Sequence, residues 1–136
     1  QFKLQNGKYV SPAPLEENLK LSPLVEQCVL DGRDRENTFL IVYPNEEALR
    51  AGLSKTRIDA TGSRDDLAQR DDVKDWLLSE LRNTWMEEPV WRSYERPNAI
   101  IIDPMEWTTE NRMLTPSLKT RVRGLMERHA DDIDAL

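Results

Sequence analysis

At 136 residues the chain has the length of one domain, enough to bury about two-thirds of its unfolded surface around a single core. Hydrophobic residues make up 38% and charged residues 32%, with 25 acidic against 19 basic side chains for a formal charge of −6. This balance excludes a disordered or membrane-spanning chain and speaks against a nucleic-acid partner. One cysteine, Cys28, and one histidine, His129, exclude an internal disulfide and a Cys/His zinc cluster, and they suit a reducing compartment. No apolar run approaches the ~20 residues that span a bilayer and no charged leader is seen, so the expected location is cytoplasmic. The chain opens at Gln1 directly in a patterned segment, which reads as a piece of something longer.

In chain order, Phe2 to Val10 alternates around an Asn-Gly pair and predicts a β-hairpin with Asn6 and Gly7 at its tip. Ser11-Pro12 reads as a cap and first helical residue, with Leu15, Leu19 and Leu21 on one face before Ser22-Pro23 ends the helix. Leu24–Leu30 and Thr38–Tyr43 read as an antiparallel strand pair, the second apolar enough for a sheet interior. Asn45 caps a helix to about Leu53. Ser54 to Asp71 is polar and aperiodic, and is expected to be a loop or mobile insertion. Val73, Trp76, Leu77, Leu81 and Trp85 then recur at helical spacing, in a helix that stops before Pro89. Asn98–Asp103 is a third strand. Thr115-Pro116 reads as the start of a last helix, whose face carries Leu118, Val122, Leu125, Met126, His129 and Ile133. The fold class expected is a single α+β domain, a small mixed sheet plus an N-terminal hairpin with helices packed on it.

A self-contained catalytic set is absent from the sequence: there is no Gly-x-Ser-x-Gly elbow, phosphate-cradling P-loop, His-Glu-x-x-His or Gly-x-Gly-x-x-Gly. His129 falls on an apolar helix face and is assigned no role. The pairs Asp65-Asp66, Asp71-Asp72, Glu87-Glu88 and Asp131-Asp132 read as solvated surface, and no metal site is expected. Trp76 and Trp85 suit core packing, whereas Trp91 and Trp107 lie near loops and are read as candidates for an interdomain face. Two places are more informative. The Asn6-Gly7 tip is either a plain turn or a point where backbone approaches a partner closely. Lys119, beside Arg121 and Arg123, is either one charge of a solvated basic face or a cation that reaches an anionic group such as a phosphate.

Both places resemble segments of the C-terminal domain of adenylate-forming enzymes, specifically the long-chain fatty-acyl-CoA ligase branch. Phe2 to Glu16 (FKLQNGKYVSPAPLE) is similar to the segment after that family's interdomain hinge, where a Lys-Leu strand and an Asn-Gly turn lead to a Pro-started helix with Leu/Ile-Glu. Ser22 to Gln27 (SPLVEQ) is similar to its entry into the next strand. Glu110 to Lys119 (ENRMLTPSLK) resembles its signature Glu-Asn-Gly-Leu-Leu-Thr-Pro-Thr-Leu-Lys, with Arg112 in place of the commoner glycine and an altered basic run after the lysine. Residues 61–92 depart from the pattern and are read as a branch-specific insertion carrying the amphipathic helix.

The resemblance implies a two-step ligase: a fatty acid and ATP give an acyl-adenylate and pyrophosphate, then the thiol of CoA displaces AMP. It implies that Lys119 is the catalytic residue of the first step. For the second, it implies a rotated domain in which Asn6, Gly7, Lys8 and Tyr9 border the CoA pantetheine. It further implies that ATP, Mg²⁺ and the acyl chain are held mostly by an N-terminal adenylation domain, so that this chain alone is inactive. Peripheral membrane association of the parent is compatible with such a substrate. Two alternatives accompany this reading: an acyl-AMP ligase passing acyl groups to a carrier protein, and a non-catalytic interaction module with the same fold.

Overall fold

Phe2–Lys3 (β1) and Tyr9–Val10 (β2) pair antiparallel, Phe2 opposite Val10 and Lys3 opposite Tyr9, where the Asn-Gly spacing predicts a hairpin. The computed structural model describes residues 1–86 and 91–136, which fall into two units, Gln1–Pro104 and Met105–Leu136. The predicted stop before Pro89 and the Glu87-Glu88 pair lie outside the described residues. In the first unit Pro12–Leu19 (α1) leads to Val25–Asp31 (β3), which is antiparallel to Phe39–Pro44 (β4). Ile100–Ile102 (β5) lies parallel to β4 on its other side. A parallel pair cannot be closed by a tight turn, and Glu46–Lys55 (α2), Arg64–Gln69 (α3) and Asp71–Leu81 (α4) occupy the crossover. The second unit holds Val122–Arg128 (α5) and Ala130–Asp134 (α6). The α+β class expected from the sequence is the one observed, and no described helix is long and apolar enough to cross a membrane.

The alternation of β-strand side chains assigns the core. Cys28, Val42 and Ile102 align across the sheet, as do Leu30, Leu40 and Ile100, and both rows enter the same buried cluster as Leu15 and Leu19 of α1, Leu49 and Leu53 of α2 and Leu77 of α4. The intervening row, Val29, Ile41 and Ile101, is buried as well, which is why the β4 run reads as continuously apolar. Leu21, placed on the face of α1 by its spacing, is instead 80% exposed, because the helix ends at Leu19 and the chain turns through Lys20 and Ser22.

Asn45 caps α2 as predicted, its side chain accepting the Ala48 N–H at 2.8 Å, with Glu46 and Glu47 in the first turn. Gly52 is an interior residue of that helix. A Cβ there would come within 2.4 and 2.6 Å of two ring atoms of Trp76 on α4, so the missing side chain makes room for the indole. Glycine to alanine normally stabilises a helix interior. At Gly52 the rigid, half-buried ring blocks the methyl, and Gly52→Ala is expected to destabilise by about 1–3 kcal/mol, read as a lowered midpoint in urea.

The segment expected to be a loop contains α3, which begins with a reciprocal capping box: Ser63 accepts the Asp66 N–H at 3.0 Å and Asp66 accepts the Ser63 N–H at 3.2 Å. Six residues are too few to display a period, so only Ser63-Arg-Asp-Asp66 announces the helix. Arg70 then holds the joint to α4, donating to both Asp72 carboxylate oxygens at 3.0 and 2.8 Å and to the Asp59 carbonyl at 2.8 Å. α4 buries Val73, Leu77, Leu78 and Leu81 and continues as a 3-10 helix, Arg82–Met86, so the amphipathic segment is part of the core.

Strand β3 is an edge of the sheet. Glu16 of α1 covers it, Oε2 accepting the Leu30 N–H at 2.8 Å. Burial pushes this carboxyl above the ordinary glutamate value, against the opposing effects of the Leu30 bond and Lys20. A raised folded-state pKa means that the group's contribution to stability is fully present below the ordinary value and is lost as pH rises through the folded one. Glu16→Gln keeps an acceptor without the charge, so its stability relative to wild type is expected to rise between pH 4 and pH 7. Glu16→Ala strands the Leu30 N–H and costs about 1–3 kcal/mol at either pH. Urea midpoints of the three proteins at both pH values check the pattern.

The second unit corrects the reading of Thr115-Pro116. Residues 115–119 form a tight hairpin loop joined by an antiparallel bridge between Leu114 and Thr120, and the helix starts only at Val122. Leu118 therefore lies off the helix, Val122 is exposed, and Leu125 and His129 are the buried members of the predicted face. Helix geometry is interrupted at His129, whose Nδ1 lies 3.4 Å from Asp132.

Candidate functional site

The first tip is short and closely braced. The Leu4 N–H donates to the Lys8 carbonyl at 2.8 Å and the Gly7 N–H to the Leu4 carbonyl at 2.9 Å, leaving Gln5, Asn6 and Gly7 as a three-residue loop. The left-handed position closing it is Gly7, at φ +89°, a conformation that costs glycine nothing. Asn6 supports the turn, its side-chain oxygen accepting the Lys8 N–H at 2.9 Å. Below the tip, Phe2, Leu4 and Val10 are buried, and the β3–β4 connection bonds the hairpin's outer strand through Gln5 N–H to the Arg35 carbonyl and Asp34 N–H to the Lys3 carbonyl. Apart from its two chain neighbours, no described residue lies within 4 Å of where a Gly7 Cβ would stand, so the tip faces open space.

Beside that tip the structure gathers groups the sequence keeps apart. Lys8 Nζ sits 5.6 Å from the centroid of the Tyr94 ring, and Tyr94 Oη accepts from Arg92 at 2.9 Å. Tyr9, 59% exposed, lines an open groove with Ser11, Arg92, Tyr94 and Glu95. No local signal marks Arg92 or Tyr94, because their proximity to the hairpin exists only after β5 and its approach segment have folded back.

The second tip repeats the first. The Thr115 N–H donates to the Lys119 carbonyl at 2.8 Å and the Leu118 N–H to the Thr115 carbonyl at 2.8 Å, enclosing Pro116, Ser117 and Leu118. Thr115 Oγ1 also accepts the Lys119 N–H at 3.1 Å and lies 3.2 Å from Ser117 Oγ, so Thr-Pro-Ser closes a turn here rather than capping a helix. The left-handed residue is Leu118, at φ +65°. Lys119 is exposed, and residues 112–123 carry Arg112, Lys119, Arg121 and Arg123 with no acidic side chain among them. Its ammonium is thus available to a carboxylate or phosphate oxygen.

Arg112 stands where the resembled signature has glycine, and its backbone is left-handed at φ +65°, the conformation that makes glycine the common choice there. Asn111 organises the preceding loop, its side-chain oxygen accepting the Thr108 and Met113 N–H groups and its amide donating to the Glu106 carbonyl at 2.8 Å.

The other sequence candidates are structural. Trp91 is 1% exposed and belongs to the core of the first unit, and Trp107 is buried too, which corrects their reading as surface for an interdomain face. Asp65, Asp66, Asp71, Asp72, Asp131 and Asp132 occupy first turns of α3, α4 and α6, where the helix dipole favours them. Burial pushes the Cys28 thiol up to about 12, so it is no nucleophile. Among the described residues no three His, Cys, Asp or Glu side chains gather as a metal site.

The chain matches the AMP-binding enzyme C-terminal domain family over residues 1–61. Its similarity falls in the long-chain fatty-acid–CoA ligase branch, as the terminal motifs imply. It is 29% identical over 96% of its length to long-chain-fatty-acid–CoA ligase 2 of Schizosaccharomyces pombe, of which it covers 20%. It is 30% identical over 98% of its length to the chloroplastic long-chain-fatty-acid–[acyl-carrier-protein] ligase AEE15 of Arabidopsis thaliana, of which it covers 16%. Among solved structures, the adenylation domain of a carboxylic acid reductase from Segniliparus rugosus, in complex with AMP and a co-purified carboxylic acid, superposes with a TM-score of 0.77. Identity there is 29%, over 98% of this chain and 19% of that one. The chain thus spans about a fifth of the length of these relatives.

Proposed function

We propose that this chain is the mobile C-terminal domain of a fatty-acyl-CoA ligase and serves both half-reactions from its two exposed tips. The observation that carries the reading is the ammonium of Lys119, unpaired among the described residues and held on a braced turn within an acid-free stretch. In the first step Lys119 enters the site of the adenylation domain and contacts the fatty-acid carboxylate and the α-phosphate of ATP. There it stabilises the negative charge that grows as the carboxylate oxygen attacks phosphorus and pyrophosphate leaves. In the second step the domain turns, the lysine withdraws and the hairpin takes its place. Gly7 presents backbone without a side chain, so the thiol arm of CoA passes along Asn6, Lys8 and Tyr9 to the acyl carbonyl, and AMP departs. Mg²⁺, which would neutralise the phosphates, would be held by residues of the adenylation domain. The protein is expected in the cytoplasm, with membrane contact, where it occurs, made by the rest of the parent.

A carrier-protein phosphopantetheine has the same reactive arm as CoA, and a relative named as an acyl-carrier-protein ligase is 30% identical to this chain. The two acceptors are separated by product analysis. The full-length protein is given fatty acid, ATP and either CoA or a loaded carrier, and pyrophosphate release is assayed apart from acyl transfer starting from supplied acyl-adenylate. Acyl-CoA as the sole thioester product sustains the proposal, acyl-carrier alone replaces it with the alternative, and no pyrophosphate release with any fatty acid refutes both.

A further inference from the structure

The chain builds the same loop twice: three residues enclosed by the same pair of backbone hydrogen bonds, a left-handed residue in third place, and a lysine immediately after it. At the first tip the left-handed residue is Gly7, the residue such a turn asks for. At the second it is Leu118, a bulky side chain in a conformation that L residues with a γ-branch rarely adopt, and it is 71% exposed. Burial within the chain does not offset the strain, and glycine would make the turn without it. Strain kept at an exposed position next to a candidate catalytic group points to a use for that side chain outside the chain itself.

We propose that Leu118 is the positioning residue for Lys119, inserting into an apolar recess of the adenylation domain at the mouth of the site and fixing the lysine's depth and direction in the adenylation state. The inference rests on Lys119 acting as proposed above. The braced geometry favours it: the Leu118 N–H and the Lys119 N–H and carbonyl are all bonded to Thr115, so a side chain seated at Leu118 fixes the backbone from which Lys119 extends. An aliphatic knob beside a cation also suits one direction of docking only. It would be released when the domain turns for acyl transfer.

The test uses the full-length protein with Leu118→Gly, Leu118→Met and Lys119→Ala, and measures pyrophosphate release, acyl transfer from supplied acyl-adenylate, ATP affinity and thermal stability. Leu118→Gly is expected to fold at least as stably as wild type, because the strain is removed, and to lose about ten- to hundredfold in kcat for adenylation, the loss expected for one buried leucine contact made in the productive state. ATP affinity and acyl transfer stay at wild-type levels, and Leu118→Met, which restores an apolar side chain of similar volume, recovers most of the adenylation rate. The proposal is overturned if Leu118→Gly adenylates like wild type, if both half-reactions fall together, or if Leu118→Met is as slow as Leu118→Gly. Lys119→Ala separates the two levels: if it is slow while Leu118→Gly is normal, only the role of Leu118 falls, and if Lys119→Ala is itself normal, the lysine's role and this inference fall together.

Discussion

Lys119→Ala in the full-length protein is expected to slow pyrophosphate release by about 10²–10³-fold, the effect of removing one preorganised donor from a charge that develops in the transition state. Acyl transfer from supplied acyl-adenylate should proceed at the wild-type rate, because on the proposed reading the lysine acts only in the first half-reaction. The contrast is sharp since no contact among the described residues depends on the Lys119 ammonium: the loop is closed through its backbone and Thr115, and the side chain projects from an exposed turn. Unfolding transitions of the two proteins should coincide, as expected for an exposed side chain without packing. Lys119→Arg keeps the charge with a different reach and donor geometry, and should recover only part of the rate. Unchanged rates in both half-reactions would leave Lys119 a surface charge, and the fold would then be serving as an interaction module.

Trp91→Ala is expected to be the most damaging single change to the fold, at about 3–5 kcal/mol, the range for truncating a large buried aromatic. The ring stacks on Trp85 with centroids 5.8 Å apart, and the indole Nε1 donates to the buried Asn18 side chain of α1 at 2.9 Å. The Trp91 backbone bonds the Trp85 carbonyl, and the Trp91 carbonyl accepts from the Arg96 guanidinium at 3.2 and 2.9 Å. One residue thus ties the end of the α4 segment, the first helix and the approach to β5. A loss of that size takes much of the stability of a typical domain. Asn18→Ala removes only the partner of the indole N–H and should cost about 1–3 kcal/mol. Urea unfolding of the three proteins gives the ranking, and a Trp91→Ala protein as stable as wild type would mean that the indole contributes nothing to the core.

Long periodic segments were readable in the sequence because the burial pattern is written into each residue: the β4 run, the Asn45-capped helix and the α4 spacing all correspond to observed elements. Short elements were not. α3 rests on one capping box, and Thr115-Pro116 carries the residues of a helix start yet is closed by backbone bonds across a loop, which no local pattern distinguishes. Trp91 reads as available because it lies near a loop, whereas the fold brings Asn18 and Trp85 against it. Of the candidate site, the Asn6-Gly7 turn and the lysine at 119 were legible as residues. The groove of Tyr94 and Arg92 beside Lys8, and the left-handed backbone at Leu118, are products of the folded chain.

The burial of Cys28 has a practical consequence. The chain's one cysteine lies in the core with its thiol held almost wholly protonated near neutral pH, so the domain carries no competing reactive thiol. A spin label or fluorophore attached through a cysteine introduced at Asn6 or Ser117, both exposed, would sit on one tip alone. Pairs of such labels would follow each tip separately through a catalytic cycle without first removing a native residue from this domain.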